Sequence, residues 1–321
     1  MEIKFFIGPM SKNIVDSIIE FQFKTGIKVG LIPSRRQIEH DGGYCNNWTT
    51  KEFSKYAKNI IIKRDHSGPG QGINDDDGYS SLKIDCKYFD FIHIDPWKKY
   101  PKYEEGFKWT KNMIEFCYKI NPNIKFEVGT EESIRRFEVS ELDTLVTDLK
   151  KNLKKSIFKQ IDYLVIQSGT SLLSTSNTGS YNKERLISMV NLAKKHSLKS
   201  KEHNGDYIPE KLISEKMRLG LDSINIAPEF GLIETETYLD QIKDQEILDS
   251  FWKICYESNR WKKWVKSDFN PLEEKLELIK VCGHYVMSNE EFLEKIKAKF
   301  PFIDNQIKNN IKTKLKSLYG L

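Results

Sequence analysis

Long apolar runs are missing from this 321-residue chain. Nothing in it approaches the roughly 20 apolar residues of a membrane-crossing helix. The N-terminus opens directly into the strand-like segment Ile3–Ile7 and has no signal-type apolar core. Cysteine is sparse. Cys45, Cys86, Cys117, Cys255 and Cys282 are odd in number, widely scattered and form no CxxC pair, so reduced thiols and a cytoplasmic location are expected. A strong excess of charge is also lacking. With 51 basic and 46 acidic side chains the net charge is only +5. Lysine heavily outnumbers arginine, the better residue for bidentate phosphate recognition. Neither nucleic acid nor membrane is therefore an expected partner. The lysines at 150, 151, 154, 155 and 159, and those at 308, 312, 314 and 316, read as solvated helix faces. Nucleotide signatures are absent: the longest glycine-rich loop, Arg64–Gly72, has neither GxGxxG nor GxxxxGK spacing. Internal repeats and low-complexity linkers are absent as well.

What the chain does have is a rhythm. Eight short apolar segments each end in polar residues: Ile3–Ile7, Lys28–Ile32, Ile60–Arg64, Phe91–Asp95, Ile124–Val128, Tyr163–Gln167, Leu198–Glu202 and Ser223–Ala227. Most are followed by helical periodicity. Strand, polar tip and helix repeated eight times predicts an α/β fold, a (β/α)8 TIM barrel. The barrel is expected over residues 1–243. A helical extension packed on it is expected over 244–321, held by Trp252, Trp261 and Trp264. Barrels of this kind carry their chemistry where the strands end.

The tips are rich in chemistry-bearing side chains. His66, His93 and His203 lie on or beside strand ends, and three ligands with an open position make a catalytic metal site. Each histidine taken singly is equally a polar core residue bonded to a neighbour. Asp65 beside His66 is the sharpest pair: a metal on His66 would stabilise an enediolate while the carboxylate moves the proton. The competing role of Asp65 is to cap the loop amides at Ser67 and Gly68. Asp95 and Glu127 join Asp65 as candidate catalytic carboxylates. Arg35, Arg36 and Gln37 on the second tip are candidate substrate contacts, the arginines for a phosphate or carboxylate. So are Gln167, Ser168 and Gly169 on the sixth tip, Asn204 and Asp206 on the seventh, and Asn225 and Glu229 on the eighth. Ordinary turn chemistry is the alternative for the later tips.

At these same tips the chain resembles the accessory, non-catalytic subunit family of D-tagatose-1,6-bisphosphate aldolase, which is related to class II aldolases. The resemblance spans roughly residues 5 to 285. It rests on Arg36-Gln37-Ile38-Glu39-His40-Asp41-Gly42-Gly43-Tyr44 and Asp65-His66-Ser67-Gly68-Pro69, then Ile92-His93-Ile94-Asp95, Phe126-Glu127-Val128, Ile166-Gln167-Ser168-Gly169 and Glu202-His203-Asn204-Gly205-Asp206-Tyr207. It implies a proton-transferring Asp65 and a divalent metal, zinc, on His66 and His203. The family's catalytic relatives carry a further histidine on the sixth strand, where this chain has Gln167, so His93 or Glu127 is needed to complete the set. The rewritten Arg35-Arg36 tip and Arg64–Gly72 loop mark a divergent branch. Two functions follow. One is a metal-dependent class II aldolase-like lyase, or a related epimerase, on a phosphorylated or nucleotide-linked sugar. The other is a non-catalytic stabilising subunit of a sugar-bisphosphate aldolase. Expected partners are the sugar and either a second copy of the chain or a catalytic aldolase subunit.

Overall fold

A computed structural model describes residues 2–321. Its strands are β1 (Phe5–Ile7), β2 (Gly30–Leu31), β3 (Lys63–Ser67), β4 (Phe91–Ile94), β5 (Lys125–Val128), β6 (Ile161–Ile166), a hairpin β7 (Leu172–Leu173) and β8 (Ser176–Asn177), then β9 (Lys199–Glu202) and β10 (Ser223–Ile226). Eight of them pair in parallel in the order β2-β1-β10-β9-β6-β5-β4-β3. Bridges from Leu31 to Ile62 and from Ser34 to Asp65 join β2 to β3 and close the circle. The fold is thus the (β/α)8 barrel that the rhythm predicts, with further helices after it. Strands covered on both faces bury nearly every residue, as Ser223–Ile226 do, which is why they read as continuous apolar runs.

Local signals set the helix starts. Ser11 accepts the Ile14 amide at the head of the helix Lys12–Thr25. Thr49 and Glu52 form a full capping box on Thr50–Tyr56. Two expectations shift. The third strand runs from Lys63 to Ser67 instead of ending at Arg64, so Asp65 and His66 lie within it. Ile60–Ile62 drew the expected strand too early because hydropathy does not register Lys63 and Arg64, which are buried by pairing with Glu127 and Asp85. The loop Ser171–Ser180 also contains the short hairpin β7–β8.

Helices alone follow Gln241 among the described residues. The last of them, Ile303–Tyr319, buries Ile303, Ile307, Ile311 and Leu315 at helical spacing. It packs against the helices Lys12–Thr25 and Pro228–Gln241. Its lysines are not the free face expected of them: Lys308 and Lys312 grip Glu20, and Lys314 reaches Glu229. The lysines at 150, 151, 154, 155 and 159 are exposed as expected. All five cysteines are buried free thiols. No helix among the described residues is long and apolar enough to cross a membrane.

Candidate metal centre at the barrel mouth

Three histidines from distant parts of the chain meet at the C-terminal end of the barrel. His66 is the penultimate residue of β3, His93 lies on β4 opposite Glu127 of β5, and His203 directly follows β9. Their ring centroids lie 4.9 to 5.1 Å apart. One donor atom each from Asp65, His66, His93 and His203 falls within 4.8 Å of all the others. At His66 the backbone is bent: β3 loses register between Arg64 and Ser67, and His66 adopts a φ of 45°. A left-handed histidine at a strand end carries backbone strain of the kind that collects at functional sites.

Each imidazole is anchored to the protein through one nitrogen, and the other nitrogen faces the cluster. His66 Nδ1 bonds Asp95 Oδ2 at 2.6 Å. His93 Nε2 donates to the Gly129 carbonyl at 3.0 Å, and His203 Nε2 donates to Glu127 Oε1 at 2.7 Å. The remaining nitrogens face carboxylates at longer range. His66 Nε2 lies 3.7 Å from Asp65 and 3.5 Å from Glu131. His93 Nδ1 lies 4.0 Å from Asp65 and receives the His66 amide at 3.3 Å. His203 Nδ1 is buried, has no hydrogen-bond partner, and lies 3.9 Å from both Asp65 and Glu131. Outer bonds that fix ring orientation while the inner nitrogens converge are the usual support for a metal-ligating histidine. The donor set fits a divalent ion of the zinc type.

The electrostatics agree. Asp65, Asp95, Glu127 and Glu131 outnumber the two buried lysines, Lys63 and Lys201, and burial lowers the Lys201 pKa well below its ordinary value. Burial opposes a charge on His66, yet Asp65, Asp95 and Glu131 hold its pKa well above the ordinary value. His93 goes the other way, down to about 4, because burial outweighs Glu127 and the other two histidines repel a proton. Burial would raise Glu131, but His66 and His203 bring it down to about 2. Asp65, His66 and Glu131 each keep about 15% of their side-chain surface exposed. The cluster therefore opens to solvent on one side.

The other tip residues have partners of their own within the protein. Glu127 lies beneath the mouth, fully buried between Lys63, Lys201 and His203. Asp95 Oδ2 accepts from Thr130 and Gln71 and also bonds His66. Arg35 is committed to Glu39 and to a two-point pair with Asp76, which leaves it no free edge for a substrate. Gln37 caps its own loop at the Ser34 amide. Gln167 ties down the segment Thr130–Phe137 through three bonds and faces no ligand. Ser168 is held by Glu202, itself paired with the buried Lys216. Gly169 meets a steric demand: its φ is +91°, and a Cβ there would sit 1.9 Å from the Ser180 carbonyl oxygen. Asn204 turns the chain at a φ of 55°. Asp206 accepts the Ala227 and Glu229 amides and so caps the helix Pro228–Gln241. Glu229 accepts the Tyr207 amide and pairs with Lys314. Asn225 does reach the cluster, donating to Asp65 Oδ1 at 3.2 Å. Arg36 remains half-buried, with its Nε on the Gly72 carbonyl.

Glu131 is the site residue that the sequence did not single out. It follows the fifth tip by three residues, and only its place in the folded loop turns it toward the histidines. Lys201 had a readable signal, since residues two apart on a strand share a face and His203 is two away.

No family model and no curated protein matches the chain. Solved structures do. A probable tagatose 6 phosphate kinase from Sinorhizobium meliloti 1021 superposes over the full length of both chains, with a TM-score of 0.75 at 13% identity. The fructuronate-tagaturonate epimerase UxaE from Cohnella laeviribosi gives 0.63 at 10% identity, covering 99% of this chain and 81% of that one. The YdjI aldolase from Escherichia coli K12 gives 0.54 at 13% identity, over 94% and 93%. At these identities the likeness is one of fold, a barrel shared with a sugar epimerase and an aldolase.

Proposed function

We propose that this chain is a divalent-metal-dependent lyase of the class II aldolase type, or a related epimerase, acting on a phosphorylated sugar. One observation carries the reading: His66, His93 and His203, each anchored through one nitrogen, bring the other within 4.8 Å of one another and of an Asp65 oxygen, the His93 Nδ1 also accepting the His66 amide at 3.3 Å. His66, His93 and His203 would hold the ion, zinc by the imidazole-rich donor set. Bound there, it would polarise a substrate oxygen as a Lewis acid.

The chain's own groups do the rest. Asp65 is oriented by Asn225 and reaches solvent, so it is the proton-transfer group in this reading. Glu131 approaches the same point from the loop after β5. Two carboxylates arriving from different strands suit an epimerase, which removes a proton and returns one; a lyase needs only one of them. The non-catalytic subunit reading drew its support from Gln167, but His93 supplies a third imidazole without it. The neighbours' names, an aldolase and a hexuronate epimerase, favour a sugar substrate.

Metal analysis of the purified chain by mass spectrometry tests this. About one equivalent of divalent ion is expected, with strong loss in His66→Ala, His93→Ala and His203→Ala. Products from a panel of ketose phosphates and sugar acids then separate cleavage from epimerisation. Failure to take up metal under any loading condition would return the chain to the subunit reading.

A further inference from the structure

The helical extension does not merely brace the barrel. Its segment from Asn259 to Ser288 lies across the catalytic face. The Ser174 amide, in the loop after β6, donates to the Trp264 carbonyl at 2.8 Å. The Asn46 amide, in the loop after β2, donates to Ser288 Oγ at 2.7 Å. The Tyr44 ring meets Tyr285 at 4.8 Å.

This crossing gathers cations. Arg260 stands 5.3 Å from the Tyr44 ring and 5.2 Å from that of Tyr285, and Lys263 stands 5.5 Å from Tyr285. On the barrel side, Arg36 bonds the Gly72 carbonyl at 3.3 Å and Lys98 the Gly70 carbonyl at 3.2 Å. The Arg36 carbonyl accepts the Tyr44 amide, which makes the two groups contiguous. Gln71, between those two glycines, donates to Asp95, the residue that holds His66. Arg36, Lys98, Arg260 and Lys263 have ring or carbonyl partners but no carboxylate partner among the described residues. Arg35, one residue away from Arg36, has two. Burial and the charges of Arg36 and Lys263 together lower the Lys98 pKa, as expected of crowded like charges.

We infer that Arg36 and Lys98 of the barrel and Arg260 and Lys263 of the extension form an oxyanion-binding rim, which grips the phosphate or carboxylate of the substrate beside the histidine cluster. This rests on the proposed function for its substrate but not for its chemistry, since the rim binds an anion whether or not a metal is present. Arginine supplies the planar fork and lysine the mobile point charge.

Calorimetry on the full-length protein, loaded with zinc and again after chelation, tests it with inorganic phosphate and D-galacturonate as separate probes. Binding of one probe in the millimolar range or tighter is expected. Lys263→Gln and Arg260→Gln should each weaken it about tenfold and the double variant further, with metal content unchanged. The stronger probe identifies the anion. Lys263 is exposed, so Lys263→Gln keeps the test free of folding artefacts. Lys150→Gln, on a remote exposed face, should change nothing. Equal affinity in parent and variants, or no binding of either probe by the parent, overturns the inference. Loss of metal uptake with anion binding intact would sink the proposed function alone.

Discussion

Glu127 links the interior of the barrel to its mouth. Its carboxylate takes Lys63 and Lys201 from below and His203 from above, with none of the four side chains more than 2% exposed. Aromatic rings surround the ammoniums: Lys63 sits 3.7 Å from the centre of Tyr163, and Lys201 3.7 Å from that of Phe6. Burial alone would raise the Glu127 carboxyl, but Lys201 and Lys63 hold it well below its ordinary value. An anion fixed there orients His203 Nε2 as the hydrogen-bond donor and leaves the Nδ1 lone pair without a partner. Burial pulls the Lys201 pKa well below its ordinary value, so Lys63 is the cation that Glu127→Ala strands, and a loss of about 3–5 kcal/mol is expected in urea denaturation. Glu127→Gln keeps the shape and the acceptor but not the charge. It should fold, and its zinc affinity in a chelator competition should fall by about 10–100-fold. A metal affinity unchanged in Glu127→Gln would show that Glu127 does not tune the cluster.

At the scale of elements, the sequence made most of the barrel legible because two-sided burial writes itself as apolar runs ending in polar tips. It misplaced β3, where ion pairs bury Lys63 and Arg64 without any hydrophobic signature. It passed over β7 and β8, which are two residues long and built from Leu172-Leu173 and Ser176-Asn177. The three histidines were readable as tip residues. So were three of the carboxylates beside them, Asp65, Asp95 and Glu127; Glu131 was not, because it arrives through loop geometry. The last helix was legible from its spacing, although its docking was not. Ile303, Ile307, Ile311 and Leu315 form its buried stripe, while Asn13 bridges Glu234 and Asp304 beside it. Ile311→Ala removes fully buried surface from that stripe, and a loss of about 2–5 kcal/mol in chemical denaturation is expected. A loss under about 0.5 kcal/mol would mean that the helix contributes little to global stability.

The whole molecule couples barrel and extension through a buried histidine. His284 packs on Tyr285 with centroids 4.0 Å apart, faces Tyr44 at 6.3 Å, and sits so close to Gly231 that a Cβ there would lie 2.7 Å from its own. Neither ring nitrogen has a hydrogen-bond partner. Burial, reinforced by Lys263 and Arg260, lowers its pKa to about 3. The unfolded chain protonates the same residue near the ordinary value of about 6.5. Above that pH neither state holds the proton, and the contribution of neutral His284 to stability is complete. As pH falls from about 6.5 toward 3, the unfolded state binds a proton that the folded state refuses, so stability is lost. The limiting slope is about 1.4 kcal/mol per pH unit for one proton. His93, with its pKa at about 4, adds to the same trend, and His66, raised, opposes it. A difference measurement isolates His284. His284→Phe keeps the stack on Tyr285 and removes two unpartnered polar atoms, so its stability at pH 7.5 should match the parent within about 1 kcal/mol. Between pH 6.5 and 5 the parent should lose stability faster than the variant, in urea denaturation followed at each pH. Parallel curves for the two proteins would mean that His284 takes up its proton in the folded state, and that the interface between extension and barrel is wetter than its burial indicates.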